Sequence, residues 1–340
     1  MAITLKDVAE LAGVSRAAVS RTFTEGASVS AKTRAKVEQA ASDLGYSPNI
    51  LARSLTTGQT RLIGLVSNNF HNPAFLQIFD LFTRGLQDRG LRPLLVNLTD
   101  ETEPARSVQL LKAYSVDGVV LASTELPPGF AEGFAETGLP VVHAFGRSGG
   151  RSGGRAGGRQ DVNVVGIDNV HAGRLAAATL IARGYRRIGF MGGPEGASTT
   201  QDRLAGFRAV AGADPAVTVT HSFAAAYSFD AGLAEMTRLL RDRPAEAYFC
   251  GDDVLSIGAL AAATRAGLRV PQDLGLIGLN DMEMAGWANI NLTTIRQPFA
   301  EIIAASVDLM MATLAAPDRP PESRLFACEV VERGTLRPLP

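Results

Sequence analysis

The chain has 340 residues with 33 Lys+Arg against 34 Asp+Glu, a balance that excludes a protein coated along its whole length in one sign of charge. Cys250 and Cys328 are the only cysteines, which excludes a disulfide framework and fits a reducing, cytoplasmic setting. No apolar run reaches the ~18 residues of a membrane span, and the first residues lack the charged-then-apolar pattern of an export signal, so neither export nor a membrane partner is expected.

The length suits a small head followed by a large body. Thr4 stands where an N-cap belongs, with Asp7 three residues on, which predicts a helix from Leu5. Val8 and Leu11 are expected to form its apolar side, and Ala12-Gly13-Val14 supplies a small-residue turn. Ser15 then caps a second helix whose Ala18, Val19 and Phe23 can pack back on the first. Two short helices joined by such a turn make a helix-turn-helix, which sets its second helix in a DNA major groove. Arg16, Ala17, Ser20 and Arg21 are its outward positions. An arginine can donate two hydrogen bonds to guanine, and Ser20 can reach a phosphate or a base edge. The same residues also fit an ordinary helical hairpin with two solvated arginines.

Ser30 caps a third helix, with Val37, Ala40, Ala41 and Leu44 on one face, and Gly45 ends it before Pro48. Residues 49–55 form a short apolar and basic helix candidate, and 56–60 a polar linker. Within residues 1–60 the cations Lys6, Arg16, Arg21, Lys32, Arg34, Lys36 and Arg53 outnumber Asp7, Glu10, Glu25, Glu38 and Asp43. A mildly positive head on a mildly negative body suits a protein that touches phosphate with one end only.

From Arg61 onward strands and helices alternate. Leu62–Val66, Leu94–Val96, Gly118–Leu121 and Pro140–Phe145 read as strands with helices between them. A second series begins with Val164–Asp168 and continues through Ile188–Met191, Val217–Val219, Ala247–Cys250 and Leu274–Gly278. Repeated βα units imply parallel sheets with helices on both faces. Residues 147–159, RSGGRSGGRAGGR, fit either an inserted surface loop or a nucleic-acid-binding run of the Arg/Gly type.

Polar groups gather where strands end: Asn68, Asn69, His71 and Asn72 after the first strand, with Phe75 beyond them, then Arg203 in RLAGF, Asp252-Asp253 and Asn280-Asp281. Asp253 and Asp281 are expected to cap helices or brace loops. The adjacent pair Asp252-Asp253 diverges, no serine sits in GxSxG, and the histidines form no metal-ligand spacing. FMGGPEG lacks a phosphate-loop spacing and reads as a cleft loop. No enzyme, cofactor or metal is expected.

The stretches TLKDVAELAGVSRAAVSRTF, VSAKTRAKVEQAASDLGYSPN and LARSLTTGQT resemble the lactose repressor / purine repressor family of transcription factors, and the likeness continues to the end of the chain. It implies an α/β protein with an all-α helix-turn-helix head (1–48), a hinge helix and linker (49–60) and a two-lobed periplasmic-binding-protein-like core with doubly wound parallel sheets (61–340). The lobes are expected over about 61–160 and 161–290, with a tail, 291–340, crossing between them. The resemblance implies a homodimeric, sequence-specific repressor of a palindromic operator in double-stranded DNA, tuned by a small sugar or sugar-acid-like effector between the lobes. A tetramer is left open, though no heptad-patterned extension is present.

For the head, the family likeness adds Thr4, Ser15, Asn49, Ala52 and Arg53 to the DNA-facing set and makes Leu55 the apolar wedge of a minor-groove kink. For the cleft, it points to Asn69, Phe75, Phe145, Arg203, Tyr227, Asp252 and Asn280. Phe145 and Asn280 stand where many sugar-responsive relatives carry aspartates, which leaves room for an acidic effector near Arg203.

Overall fold

The computed structural model describes residues 3–24, 27–47, 58–68, 70–99, 104–124, 130–146, 162–242 and 244–340. They fall into two compact units, Met1–Thr60 and Arg61–Pro340.

The first unit holds α1 (Leu5–Ala12), α2 (Arg16–Thr22) and α3 (Ala31–Leu44) in mutual contact. The Thr4 hydroxyl and N–H donate to the Asp7 carboxylate at 2.7 and 2.8 Å and hold Asp7 below its ordinary pKa. Ser15 and Ser30 cap α2 and α3 by accepting from the Ala18 and Thr33 N–H groups, each at 3.2 Å. Gly13 and Gly45 close α1 and α3 in the left-handed conformation that a side chain disfavours. Val8, Ala9, Ala12, Val19, Val37, Ala40 and Ala41 form the core of this unit. Leu11, expected inside, is 55% exposed. The inner stripe of α1 follows Leu5, Val8, Ala9 and Ala12, whose small alanines let α3 come close, and Leu11 falls on the outer flank. The hinge candidate at 49–55 lies outside the described residues, as does the Gly/Arg-rich run.

The second unit has two lobes. The first begins with β1 (Leu62–Ser67), α4 (Ala74–Asp88), β2 (Arg92–Asn97), α5 (Pro104–Ala113), β3 (Gly118–Ala122), α6 (Phe130–Ala135), β4 (Val141–Ala144) and β5 (Asn163–Ile167). The second contains α7 (Asn169–Ala182), β6 (Arg187–Gly192), α8 (Ser198–Ala211), β7 (Thr218–Phe223), α9 (Phe229–Leu239), β8 (Ala247–Cys250), α10 (Asp253–Arg265), β9 (Gly275–Asn280) and β10 (Thr294–Arg296). The chain then returns to the first lobe for α11 (Phe299–Ala315) and β11 (Ser323–Phe326), and ends in the second with β12 (Glu329–Val331).

The sheets run β11-β5-β4-β3-β1-β2 and β12-β10-β9-β8-β6-β7. Every pairing is parallel except β10 with β12. The sequence places β5 at the head of the second series, yet it pairs with β4 and β11 and so belongs to the first sheet. The lobes therefore exchange chain three times, at Asp168, at Gln297-Pro298 and at Ala327-Cys328.

Helices cover both faces of each sheet, so every residue of the inner strands β3, β5 and β9 is buried. In lobe 2, α7 and α8 cross backbone to backbone. A Cβ on Gly173 would stand 2.0 Å from the Arg203 carbonyl oxygen, and one on Gly206 would stand 1.9 Å from that of Val170. That close crossing sets the place of Arg203.

Candidate DNA-facing helix and effector cleft

On the head, the inner side of α2 is Val19 and Thr22, and the Thr22 hydroxyl turns back to the Ala18 carbonyl at 2.9 Å. Arg16, Ala17, Ser20 and Arg21 are all exposed, as are Thr4 and Ser15 at the two helix starts. Both arginine side chains of this helix, Arg16 and Arg21, therefore lie on its solvent face. Asn49, Ala52, Arg53 and Leu55 lie outside the described residues.

In the second unit the carboxyl ends of the parallel strands of both lobes border one cleft. Lobe 1 lines it with Asn72, Phe75, Ile78, Thr124, Phe145 and Phe299, and lobe 2 with Arg203, Tyr227, Asp252 and Asn280. Phe145 and Phe299 meet edge to face with centroids 5.6 Å apart. Six of the seven expected effector residues are thus together, and Asn69 lies outside the described residues.

The polar wall is a network. Arg203, 4% exposed, donates through Nε to Asn169 Oδ1 and through Nη1 to the Gly251 carbonyl, each at 2.8 Å. Asp252 is the N-cap of α10: its Oδ1 accepts from the Val254 N–H. Its Oδ2 accepts from Asn72 Nδ2 at 2.9 Å and from Asn280 Nδ2 at 2.8 Å. Asn280 Oδ1 in turn accepts from Gln297 Nε2 at 2.5 Å. Burial pushes the Asp252 carboxyl above its ordinary pKa, while the Asn72 and Val254 hydrogen bonds and the nearby Arg203 charge oppose that shift.

Asn280 and Asp281 both have positive φ, 122° and 58°, an unusual pair for side-chain-bearing residues. The surroundings fix them there. Asp253 accepts from the Met282 N–H at 2.8 Å and from the Thr294 hydroxyl at 2.5 Å, while Asp281 binds Arg296 and Arg333 at 2.7 and 2.6 Å. Both aspartates brace loops. The Tyr227 hydroxyl lies 2.8 Å from Thr200 Oγ1, and its ring covers Gly193, where a Cβ would stand 2.4 Å from the ring. The second glycine of FMGG is there to admit that ring.

Sequence reasoning placed Asn72 among the polar groups after the first strand without counting it in the effector set, and it did not select Thr124, Ile78, Gln297 or Phe299. Asn72 was visible as a loop residue, and Gln297 and Phe299 as part of the crossing tail, but no local pattern marks them as lining. Among the described residues no group of three His, Cys, Asp or Glu side chains is placed to hold a metal ion, and no helix is long and apolar enough to cross a membrane.

Residues 4–49 match the profile of bacterial regulatory proteins of the lacI family, and residues 177–336 match that of a periplasmic binding protein-like domain. The chain is 30% identical over 342 residues to the HTH-type transcriptional repressor CytR of Escherichia coli (strain K12), covering 100% of this chain and 98% of that protein. It is 32% identical over 338 residues to the ribose operon repressor of the same organism, covering 98% and 99%. Among solved structures, the lac repressor dimer bound to operator and the anti-inducer ONPF aligns with a TM-score of 0.85 and 26% identity, covering 98% of this chain and 99% of that one. A complex of the transcriptional regulator CelR with cellobiose aligns at 0.69 with 28% identity, with the same coverage.

Proposed function

From the premise that the chain belongs to the lacI family, whose members are dimeric DNA-binding repressors controlled by a small molecule bound in the core and not enzymes, we propose that its effector is a neutral, polyhydroxylated ring of monosaccharide size. One observation carries this reading: the cleft's guanidinium and carboxylate face the same cavity and offset one another, and Arg203 already spends two donors on the protein. An acidic effector would face the Asp252 carboxylate in the same cavity. A neutral ring can instead lay one apolar face on Phe75, Phe145 and Phe299 while its hydroxyls exchange hydrogen bonds with Asp252, Asn280 and Arg203. Tyr227 closes the side. The likeness to the ribose operon repressor supports a pentose as the first candidate.

On the DNA side, Arg16, Ala17, Ser20 and Arg21 read base edges of one half-site, with Thr4 and Ser15 placing the helix starts against phosphate. In this reading residues 1–48 are the DNA-binding head, 49–60 the hinge and 61–340 the effector core. Asn49, Ala52, Arg53 and Leu55 serve the hinge and its minor-groove wedge at the centre of a palindromic operator. The site of action is the cytoplasm. Effector binding changes operator affinity by a coupling of about 1–3 kcal/mol.

The test is operator binding followed by fluorescence anisotropy at fixed salt, with and without D-ribose, other neutral sugars and sugar acids. Specific binding that one neutral sugar alters supports the proposal, and a response to sugar acids alone overturns it. An Arg16→Ala, Arg21→Ala double variant is expected to lose about 100-fold or more in operator affinity, at roughly 1–3 kcal/mol for each good base contact. Equal affinity in variant and parent removes α2 as the reading element.

A further inference from the structure

Asn72 ties lobe 1 to lobe 2 across the cleft. Its Oδ1 accepts from the Ala74 N–H at 3.0 Å, which fixes the orientation of the carboxamide at the start of α4. That orientation aims Nδ2 over the gap at Asp252 Oδ2, 2.9 Å away. With Asn280 Nδ2 on the same oxygen and the Val254 N–H on the other, Asp252 holds three donors. The chain of contacts then continues through Asn280 to Gln297, which stands on one of the three crossings. The bond between the Thr199 hydroxyl and the Thr124 carbonyl also spans the lobes, but it is longer at 3.4 Å.

We propose that the Asn72 carboxamide is a built-in latch. It occupies the position on Asp252 that an effector hydroxyl takes, so the effector enters by exchange and does not simply add to the site. This rests on the cleft reading above and deepens it. A buried carboxylate accepts a limited number of donors, and a hydroxyl reaching Oδ2 must displace Asn72 or Asn280. Asn280 is the harder to move, because it ends β9 paired with Arg296 of β10, and Asp281 and Met282 directly after it are held by hydrogen bonds to Arg296, Arg333 and Asp253. Asn72 is the side chain that yields. The exchange swaps one N–H donor for one O–H donor, leaving the carboxylate satisfied throughout. It also replaces a tie that belongs to lobe 1 with one supplied by the small molecule, and it does so at the residue that communicates with Gln297. Asn72 would then set both how readily the lobes part and how strongly a hydroxylated ring must compete to bind.

Hydrogen exchange on the full-length protein tests this with Asn72→Ser. Serine can still cap the Ala74 N–H but is too short to reach Asp252. Without added sugar, amides at 251–254 and 280–282 are expected to exchange about tenfold faster, the size of a lost hydrogen bond to a charged group, while 74–78 stay unchanged. A change confined to 74–78, or none in lobe 2, overturns the latch. In a calorimetric titration with D-ribose, Asn72→Ser is expected to bind several-fold more tightly than the parent, because a competitor has gone. Weaker binding would make Asn72 an effector contact and overturn the exchange. Should neither protein bind ribose or any other neutral sugar, the effector reading fails, and the amide exchange still decides the latch by itself.

Discussion

Lobe 1 meets the cleft mainly with Phe75, Ile78, Phe145 and Phe299, whereas lobe 2 meets it with Arg203, Tyr227, Asp252 and Asn280. The apolar wall is held by packing: Phe145 and Phe299 sit in the large cluster that also contains Phe82, Ile302 and Met310. The polar wall is held by a connected set of hydrogen bonds that runs from Asn72 through Asp252 and Asn280 to Gln297 and includes the strained pair Asn280-Asp281. The difference teaches that the two walls fail in different ways. Loss of an aromatic ring leaves a void, while loss of a polar atom leaves its partner stranded.

The largest effect is therefore expected on the apolar side. Phe299→Ala should cost about 3–5 kcal/mol of core stability, measured by urea unfolding, and should weaken sugar binding with it. A loss of binding with no loss of stability would show that Phe299 is a ligand contact without a packing role. Asp252→Asn preserves volume and the cap on Val254 but turns a donor toward the amides of Asn72 and Asn280. A cost of about 1–3 kcal/mol is expected, with ribose affinity down at least about tenfold. Unchanged affinity would remove Asp252 from the site.

The smallest effect is a slope. Burial holds the Asp253 carboxyl well above the ordinary value of 3.8. A folded state with a raised carboxyl pKa binds its proton more tightly than the unfolded chain. This group's contribution to stability is therefore greatest at low pH and falls as pH rises from about 4 through the folded value. Asp253→Asn is neutral at every pH and should flatten that part of the Tm profile above about pH 4. Identical slopes in variant and parent would mean that another group carries the dependence.

Much of this was legible in the residues. The caps Thr4, Ser15 and Ser30 and the two closing glycines set the head, and the runs of Val, Ile and Leu marked the strands. Leu11 misled because spacing alone does not say which of two flanks faces a neighbour when alanines can fill the inner one. β5 misled because a strand followed by a helix looks the same in either sheet, and only its pairing with β4 and β11 assigns it. In the cleft, Arg203, Asp252 and Asn280 announced themselves as polar groups at strand ends. Asn72 stood among the same strand-end groups, but its reach to Asp252, 180 positions away, is not a local signal, and the places of Gln297 and Phe299 depend on the crossings between the lobes.

Those crossings also bear on how the protein is made. Neither sheet can be finished until β10, β11 and β12 are available, and all three lie after residue 290. A nascent chain leaving the ribosome in sequence order therefore carries two unfinished sheets until its final segment emerges. The edges of β5 and β9 wait for strands that arrive last. Premature termination between β10 and β11 would leave both lobes incomplete together, so a truncated product would offer the cell's proteases two open edges.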